Sequence, residues 1–227
     1  MDTPQHIGII MDGNRRWARA HGLPLVEGHR RGLDNIRTSL RWCLQHGVRM
    51  LTVFAFSTEN WNRPPEEVKY LMKLFLMVIK KEVAKLDKEG IRYAVVGRIQ
   101  GLSRDIQNEI KKAVKKTAHN SKLVFTMALN YGGRAEIVDA IKSIVGKKIP
   151  PAQITESLVA KNLYAPDVPD PDLIIRTSGE NRLSGFLLWE SAYSELYFTP
   201  TLWPDFGTKD LDAALQEFKR RQRRFGK

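Results

Sequence analysis

Residues 7–17 read Ile-Gly-Ile-Ile-Met-Asp-Gly-Asn-Arg-Arg-Trp, an apolar run that stops at a carboxylate and a glycine. Such a run fits a β-strand that is buried on both faces of a parallel sheet. Open α/β sheets bind ligands at the carboxyl ends of their strands, where we expect Asp12. Gly13 lets an anion approach the backbone, and the polar and basic residues after it can open a helix. These residues predict a magnesium–phosphate site, although an ordinary Asp-Gly turn explains them equally well.

The composition is that of one soluble globular domain spanning residues 1–227. The chain is 42% hydrophobic and 27% charged, as expected for such a domain, and it is long enough to bury a core. Its one cysteine, Cys43, excludes an internal disulfide framework and fits a reducing compartment, so we expect a cytoplasmic protein. Cys43 falls on an apolar helical pattern, which favours a buried position over a nucleophile.

The net charge of +12 needs an explanation in terms of partners or of solvation. Nucleic acid, anionic lipid and a phosphorylated substrate would all suit this charge. The lysines between 111 and 122 lie on or just after one predicted helix, and we interpret them as a solvated face. Charge alone therefore does not select a partner.

Strand-like and helical segments alternate along almost the whole chain. The predicted strands are 6–11, 50–56, 92–97, 123–129, 172–177 and 195–199, and the predicted helices are 29–46, 66–89, 103–119, 134–145, 155–164 and 208–224. This alternation predicts an α/β fold: a single domain with a mostly parallel six-stranded sheet covered by helices.

The helix predicted over 66–89 is unusually apolar. Between Tyr70 and Ile79 only Lys73 is charged, so the helix should be buried on several sides. A core or interface helix is the favoured interpretation. The alternative is that the helix forms the wall of a channel for a long hydrocarbon. The mobile side chains of Met72 and Met77 would then suit a flexible ligand.

Two further loops carry polar side chains at predicted strand ends. Residues 54–65 place a hydroxyl, amides and an arginine before a proline-started helix, and residues 172–185 place two arginines and hydroxyls on a glycine-containing loop. Guanidinium groups match phosphate oxygens, so both loops are candidates for a diphosphate site. Ordinary surface polarity is the favoured interpretation of each loop alone, but three such loops at three strand ends are harder to explain in that way. His29, beside two arginines, is a candidate for the same site. The chain has no nucleotide-binding glycine motif and no zinc-ligand spacing.

Longer matches give the chain a resemblance to the cis-prenyltransferase family, typified by undecaprenyl diphosphate synthase. They cover nearly the whole chain in the family's order. The matching segments are 6–17, Gly28-His29, 54–64, Asn130-Tyr-Gly-Gly-Arg134, 172–189, Glu195-Leu-Tyr-Phe198 and Leu202-Trp-Pro-Asp-Phe206.

The resemblance implies condensation of isopentenyl diphosphate onto an allylic prenyl diphosphate, with a new cis double bond and release of diphosphate. Asp12 and Asn60 would be catalytic, and Asp12 and Glu195 would bind Mg²⁺, which offsets charge on the leaving group. An amide is a poor base, so Asn60 would orient a phosphate oxygen or water that takes the proton. The implied substrate-binding residues are Gly13, Asn14, Arg15, Arg16, Trp17, His29, Ser57, Thr58, Glu59, Trp61, Arg63, Arg176, Arg182, Ser184, Arg224 and Gly226.

The resemblance also implies a homodimer, no nucleic-acid partner and peripheral membrane contact for product release. Leu25 stands where many members carry an arginine, which removes one cation from the allylic phosphate site. The competing hypotheses are a non-catalytic scaffold subunit of a prenyltransferase complex and a basic nucleic-acid-binding protein. A hydrophobic tunnel would hold the growing chain, and its candidate wall residues are Leu71, Met72, Phe75, Leu76, Ile79, Leu123, Phe125 and Met127.

Overall fold

Six strands form one sheet in which every neighbouring pair is parallel. The computed structural model describes residues 3–221. The strands are β1 (His6–Ile10), β2 (Met50–Ser57), β3 (Ile91–Val96), β4 (Leu123–Tyr131), β5 (Leu173–Arg176) and β6 (Glu195–Phe198), in the order β3-β4-β2-β1-β5-β6. This confirms the predicted α/β class and its six strands.

Helices cover the sheet. They are α1 (Asn14–Ala20), α2 (Leu25–His46), α3 (Pro65–Glu89), α4 (Arg104–Thr117), α5 (Gly133–Gly146), α6 (Glu156–Ala160) and α7 (Thr208–Arg220). A 3-10 helix at Thr58–Asn62 joins β2 to α3. The crossover helices explain why the strands are parallel, because each helix returns the chain to the amino-terminal end of the sheet before the next strand begins.

Two helix predictions need correction. The helix predicted to begin at 29 starts at Leu25, after Pro24, and it packs against the separate short helix α1. The helix predicted over 155–164 ends at Ala160, and the Asn162 amide donates to the Leu158 carbonyl. Such side-chain bonds offer the backbone an alternative to continued helix.

The core lies on both faces of the central strands. Ile7 and Ile9 of β1 are fully buried, as expected for a strand between two parallel neighbours. The carboxyl end of β1 thus opens near the middle of the sheet edge. Cys43 is buried in the core, and burial raises the pKa of its thiol to about 12, which agrees with a structural role.

Helix α3 is buried on one side only. Leu71, Phe75 and Ile79 belong to the core, whereas Lys73 and Met77 are exposed on the outer face. The expectation of burial on several sides is therefore wrong for that face. Among the residues that the structure describes, no helix is both long and apolar enough to cross a membrane.

Candidate active site

Asp12 lies at the carboxyl end of β1 and is paired with an arginine from the neighbouring strand. The Arg176 Nη2 atom lies 2.9 Å from Asp12 Oδ2, and Arg16 Nη2 lies 3.7 Å from the same oxygen. The other carboxylate oxygen accepts the Gly13 N–H at 2.7 Å. Partial burial opposes ionisation of Asp12, but the hydrogen bonds from Arg176 and Ser178 outweigh it and lower the pKa. Asp12 is therefore an anion at neutral pH.

Thr177 fixes the backbone on which Asp12 is carried. Its fully buried hydroxyl accepts the Asp12 N–H at 2.9 Å and donates to the Asp12 carbonyl at 2.6 Å. The Trp203 N–H donates to the same carbonyl at 3.0 Å. These bonds tie the ends of β1 and β5 together and leave the carboxylate facing the sheet edge.

Glycines allow α2 to pass close to Asp12 and α1. A Cβ at Gly28 would lie 2.1 Å from the Asn14 carbonyl oxygen, and one at Gly32 would lie 2.7 Å from Asn14 Oδ1. Asn14 donates from its amide to the Met11 carbonyl, while its buried Oδ1 has no hydrogen-bond partner among the described residues. Gly13 itself has φ +106°, a conformation that side chains rarely adopt. Glycine is thus required at position 28 by the close approach of the Asn14 backbone.

A basic cleft adjoins Asp12. Its volume is about 390 Å³, and its walls are Met11, Asp12, Gly13, Asn14, Arg15, Arg16, Arg19, His29 and Arg63. Glu67 of α3 offsets part of this charge, since it pairs with Arg63 at 3.1 Å and with Arg15 at 3.7 Å. The N-terminus of α1 has no side-chain cap, so its N–H groups add to the positive potential. The cleft suits a polyanion such as a diphosphate.

His29 is neutral in this cleft. Burial, reinforced by the nearby Arg63 cation, lowers the pKa of its imidazole to about 4. Its buried Nε2 atom has no hydrogen-bond partner in the described part of the chain. An anion bound in the cleft would supply that partner and favour the protonated ring.

A second cavity runs from Asp12 between α2, α3 and the sheet. Its volume is about 240 Å³. Polar side chains at one end include Asp12, Asn14, His29, Ser57, Asn60, Arg63, Arg176 and Ser184, and the rest of the wall is largely apolar, including Leu33, Ile36, Phe54, Leu71, Phe75 and Val78. The cavity therefore joins an ionic end to an apolar one, which matches a ligand with a charged head and a hydrocarbon tail.

The loop after β2 divides its predicted site residues into two groups. Ser57, Asn60 and Arg63 line the main cavity. Ser57 and Asn60 also cap the 3-10 helix reciprocally, with Asn60 Oδ1 accepting the Ser57 N–H at 3.2 Å. Trp61 instead donates to Asn130 Oδ1 at 2.7 Å, which anchors the loop to β4. Thr58 and Glu59 bond each other and do not line this cavity.

The loop after β5 is organised by Arg176. Arg176 Nη1 donates to Ser184 Oγ at 2.8 Å and to the Arg182 carbonyl, so one guanidinium links Asp12 to this loop. Its buried Nε atom has no partner among the described residues. The Arg182 side chain is exposed and pairs with Glu180. Ser184 therefore lies in the cavity wall, while Arg182 lies outside it.

Residues 10–226 match the Prenyltransf family of undecaprenyl diphosphate synthases. The chain belongs to this prenyltransferase family. An isoprenyl transferase from Thermotoga maritima is 49% identical over 100% of this chain and 98% of its own length. One from Fusobacterium nucleatum is 52% identical over 99% and 96%. A lavandulyl diphosphate synthase from Lavandula x intermedia, solved in complex with dimethylallyl diphosphate, superposes with a TM-score of 0.96 at 36% identity, covering 100% of this chain and 99% of that one.

Two further predicted site residues of this prenyltransferase, Glu195 and Trp17, also lie away from the main cavity. Glu195 is the first residue of β6, and the register sets it level with Leu173 and Ile7. It therefore lies at the amino-terminal ends of the strands, whereas Asp12 lies at their carboxyl ends. Its carboxylate pairs with Arg221 at 3.0 Å. Trp17 donates to Asp205 Oδ1 and stacks on His21 outside the cavity. The structure thus does not bring Glu195 and Asp12 of one chain together, and Arg224 and Gly226 fall outside the described residues.

Five of the eight residues predicted for the hydrocarbon wall line one of two cavities, and the tunnel itself stays a prediction. Leu71, Phe75 and Met127 line the main cavity, and Ile79, Phe125 and Met127 line a smaller apolar cavity beyond it. Met72, Leu76 and Leu123 line neither, because Leu123 is fully buried in the sheet and the other two pack against the core from elsewhere on α3. Helix α2, through Leu33 and Ile36, supplies the opposite wall.

Arg19 and Glu67, which lie close to the site, were missed by the sequence analysis. Thr177 and Ser178 were covered only by the interpretation of loop 172–185 and were given no role of their own, although they directly follow Arg176 at a strand carboxyl end. Glu67 gave no such signal, because its pairing with Arg15 and Arg63 depends on how α1 and α3 meet.

Proposed function

We propose that this prenyltransferase condenses isopentenyl diphosphate onto an allylic prenyl diphosphate and releases diphosphate. The observation that carries the proposal is the position of Asp12, with the basic cleft on one side and the apolar end of the cavity on the other. The allylic C–O bond breaks, a C–C bond forms to the alkene of isopentenyl diphosphate, and loss of a proton leaves the new cis double bond. The relatives named above are isoprenyl transferases and a lavandulyl diphosphate synthase, so a purely scaffolding role is not favoured.

The allylic diphosphate occupies the basic cleft. Arg15, Arg16 and His29 face the diphosphate, and its hydrocarbon extends into the apolar cavity. While the cleft is empty, His29 is neutral and places no charge in this buried position. It gains a proton when the anion binds. Dimethylallyl diphosphate in the lavandulyl diphosphate synthase structure supports an allylic ligand in this fold.

Isopentenyl diphosphate binds on the β5 side of Asp12. Arg176 and Ser184 line that part of the cavity, and the free Nε of Arg176 offers one more donor. Arg182 lies outside the cavity and pairs with Glu180, and its release from Glu180 would make a second guanidinium available to the same diphosphate. Forked guanidinium groups bind phosphate oxygens in pairs, which orients the nucleophile.

The donor set at Asp12 fits Mg²⁺. Mg²⁺ in such sites commonly takes one or two protein carboxylates, with substrate phosphates and water completing the shell. Asp12 is an ionised carboxylate beside the basic cleft, and among the described residues no cluster of three or more acidic, His or Cys ligands forms a separate metal cage. When bound, the metal stabilises the negative charge that develops on the departing diphosphate. Within one chain Glu195 lies at the opposite end of the strands from Asp12, so we propose it as a metal ligand only in the assembled dimer.

Asn60 orients the group that accepts the proton and does not itself take the proton. Its Oδ1 is held by the Ser57 N–H, which leaves its NH₂ group to donate toward a phosphate oxygen in the cavity. That oxygen, or a water, is the better proton acceptor because an amide is very weakly basic.

The active form is a homodimer in the cytoplasm, with peripheral membrane contact when the lipid product leaves. An apolar stripe on the outer face of α5, formed by Val138, Ile141 and Val145, supports a partner surface. We propose that Arg224 and Gly226 complete the isopentenyl diphosphate site of the neighbouring subunit. Nucleic acid has no role in this scheme, and the basic cleft is reserved for diphosphates.

Incubation with isopentenyl diphosphate, Mg²⁺ and a series of allylic diphosphates tests the proposal. Mass analysis of the dephosphorylated products should show prenols extended by whole isoprene units. One diphosphate should be released for each isoprene unit added. Release of phosphate without chain extension would instead indicate a phosphatase. The primer that is extended best would also show what Leu25 does in place of an arginine.

A further inference from the structure

Strand β4 departs from regular pairing near its carboxyl end, beside the loop that follows β2. Phe56 of β2 is level with Leu129 and Ser57 is level with Tyr131, so Asn130 is an extra residue that the β2 register skips. Asn130 has φ 51°, in the left-handed region that Asn enters more readily than most residues other than glycine. Bulges of this kind re-aim side chains next to active sites. The bulge therefore sets the direction of the Asn130 side chain.

Both ends of the Asn130 amide are hydrogen-bonded, and the residue is buried. Its Nδ2 atom donates to the Arg98 carbonyl at 2.8 Å, and its backbone carbonyl accepts the Arg98 N–H at 3.0 Å. Its Oδ1 atom accepts the Trp61 indole N–H at 2.7 Å. A carbonyl only accepts and an indole only donates, so these partners fix the orientation of the amide. Asn130 thus joins the turn at Arg98 to Trp61.

The bond to Asn130 controls the orientation of the 3-10 helix Thr58–Asn62. Trp61 belongs to this helix, and its ring meets Phe56 edge-on with the ring centres 5.2 Å apart. A 3-10 helix has three residues per turn, so holding Trp61 against β4 also sets the direction in which its neighbour Asn60 projects. Asn60 lines the main cavity together with Asp12, whereas Trp61 does not line it.

A second contact holds the start of the same helix against β4. A Cβ at Gly132 would lie 2.5 Å from the Thr58 Oγ1 atom, so Thr58 packs directly on the backbone that follows the bulge. The 3-10 helix is therefore in contact with the end of β4 at Thr58 and at Trp61, on either side of Asn60. Of these two contacts, the one at Trp61 depends on the side chain of Asn130.

We propose that Asn130 is a positioning residue for the condensation step. This inference rests on the proposed function, in which Asn60 orients the group that accepts the proton. Asn130 does not line the main cavity, so it acts through Trp61. Without the bond the 3-10 helix can turn, and Asn60 no longer keeps one direction in the cavity. Primer binding changes less, because Arg63, which walls the basic cleft, is held independently by Glu67 of α3 at 3.1 Å.

Variants that break the Trp61–Asn130 bond from either end test this role. W61F removes the indole N–H and keeps an aromatic ring, and N130G removes the amide at a position where glycine accepts the left-handed backbone. Each should lower kcat by about 10- to 100-fold, as expected when a group at the reacting centre is misplaced, with little change in the KM for the primer. The double variant W61F/N130G should have the kcat of N130G alone, because both changes break one bond.

Matched controls separate positioning from stability. N120G removes an amide that donates to the Ile91 carbonyl at 3.0 Å, at the amino-terminal end of the sheet. W42F removes an indole N–H that donates to Asp212 Oδ1 at 2.7 Å. Neither Asn120 nor Trp42 lines the main cavity. Both controls should lower the temperature of unfolding and keep the wild-type kcat.

Steady-state kinetics and thermal unfolding are measured for all variants. A loss of kcat in W61F and N130G that is not additive, and that N120G and W42F do not show, would support the proposal. A folded W61F with wild-type kcat, additive losses in the double variant, or equal losses in the controls would overturn it. If N130G does not fold, W61F decides alone, because it leaves the bonds between Asn130 and Arg98 in place. Absence of condensation in the wild-type enzyme would contradict the proposed function instead.

Discussion

Single residues at the cleft are adjusted for an anion that arrives with the substrate. Asp12 is kept ionised by Arg176, whereas His29 is kept neutral by burial and by Arg63. Ligand binding should therefore change the charge of His29 more than that of Asp12. Each effect follows from contacts within about one side-chain length, and each has a measurable consequence.

His29 should titrate well below the usual range for histidine. We expect an NMR midpoint at about pH 4 in the free protein and a higher midpoint when inorganic diphosphate is bound. Between pH 4 and 6.5 the unfolded chain binds more protons than the folded one, so the free energy of unfolding should rise with pH across this window. H29Q should show a shallower rise. A midpoint near 6.5 without ligand would contradict the burial argument.

Gly28 should not tolerate even one added methyl group. In G28A the new Cβ would meet the Asn14 carbonyl oxygen at 2.1 Å, and backbone cannot move aside as a side chain can. We expect a loss of about 1–3 kcal/mol in the free energy of unfolding, together with weaker binding of allylic diphosphate. G146A is the matched control, because a Cβ there meets nothing within 4 Å. Equal urea midpoints for the two variants would refute the close approach.

At the scale of elements, α2 and α3 form the two walls of the apolar cavity over the floor of the sheet. The sequence predicted α3 as a wall because its apolar run is conspicuous. On α2 it recognised only the apolar helical pattern that buries Cys43, and it did not foresee that Leu33 and Ile36 line both cavities. A helical apolar stripe looks the same whether it faces a neighbour or a cavity, so only the packing of α2 against α3 distinguishes them.

The strand-end residues were easier to predict. Asp12 and Arg176 follow buried apolar runs, and parallel register brings Ile10 and Arg176 side by side. Glu195 could not be placed in this way, because it begins its strand rather than ending it. Its distance from Asp12 depends on strand direction, which a motif match does not reveal.

Phe75 should influence product length through α3. F75A enlarges the cavity, so we expect a longer dominant product with the first condensation retained. M72A removes a similar volume from the same helix but at a position that lines neither cavity, and its products should match the wild type. Both variants are expected to lose some stability, on the order of 2–5 kcal/mol for a fully buried site. Product lengths are measured by mass spectrometry. An equal shift in product length in both variants would show that the change follows from lost stability and not from cavity size.

At the scale of the whole molecule, the polar site lies at the carboxyl ends of the strands, and the outer face of α5 carries an exposed apolar stripe. Val138, Ile141 and Val145 occupy one side of α5, and Val145 is 67% exposed. Apolar side chains grouped in this way on a helix favour association with another protein surface. A dimer formed there would also explain why part of the isopentenyl diphosphate site is expected from a second chain.

I141E should therefore weaken the dimer and the isopentenyl site together. Sedimentation velocity should show a shift toward monomer, and the KM for isopentenyl diphosphate should rise more than the KM for the primer. M77E is the control, since Met77 is an exposed apolar residue on α3, away from the α5 stripe. Unaltered sedimentation of I141E would exclude the α5 stripe as the dimer contact.

A single-turnover product assay shows whether prenyl condensation depends on the Asp12 carboxylate. Wild-type enzyme, D12N and D205N are mixed with primer, isopentenyl diphosphate and saturating Mg²⁺, and the first condensation product is quantified by mass spectrometry. D12N keeps the shape of the side chain but loses the charge that stabilises the transition state, so its rate should fall by roughly 10²–10³-fold. D205N changes a carboxylate that bonds Trp17 outside the cavity and should stay close to wild type. A folded D12N that forms product at the wild-type rate would contradict the account.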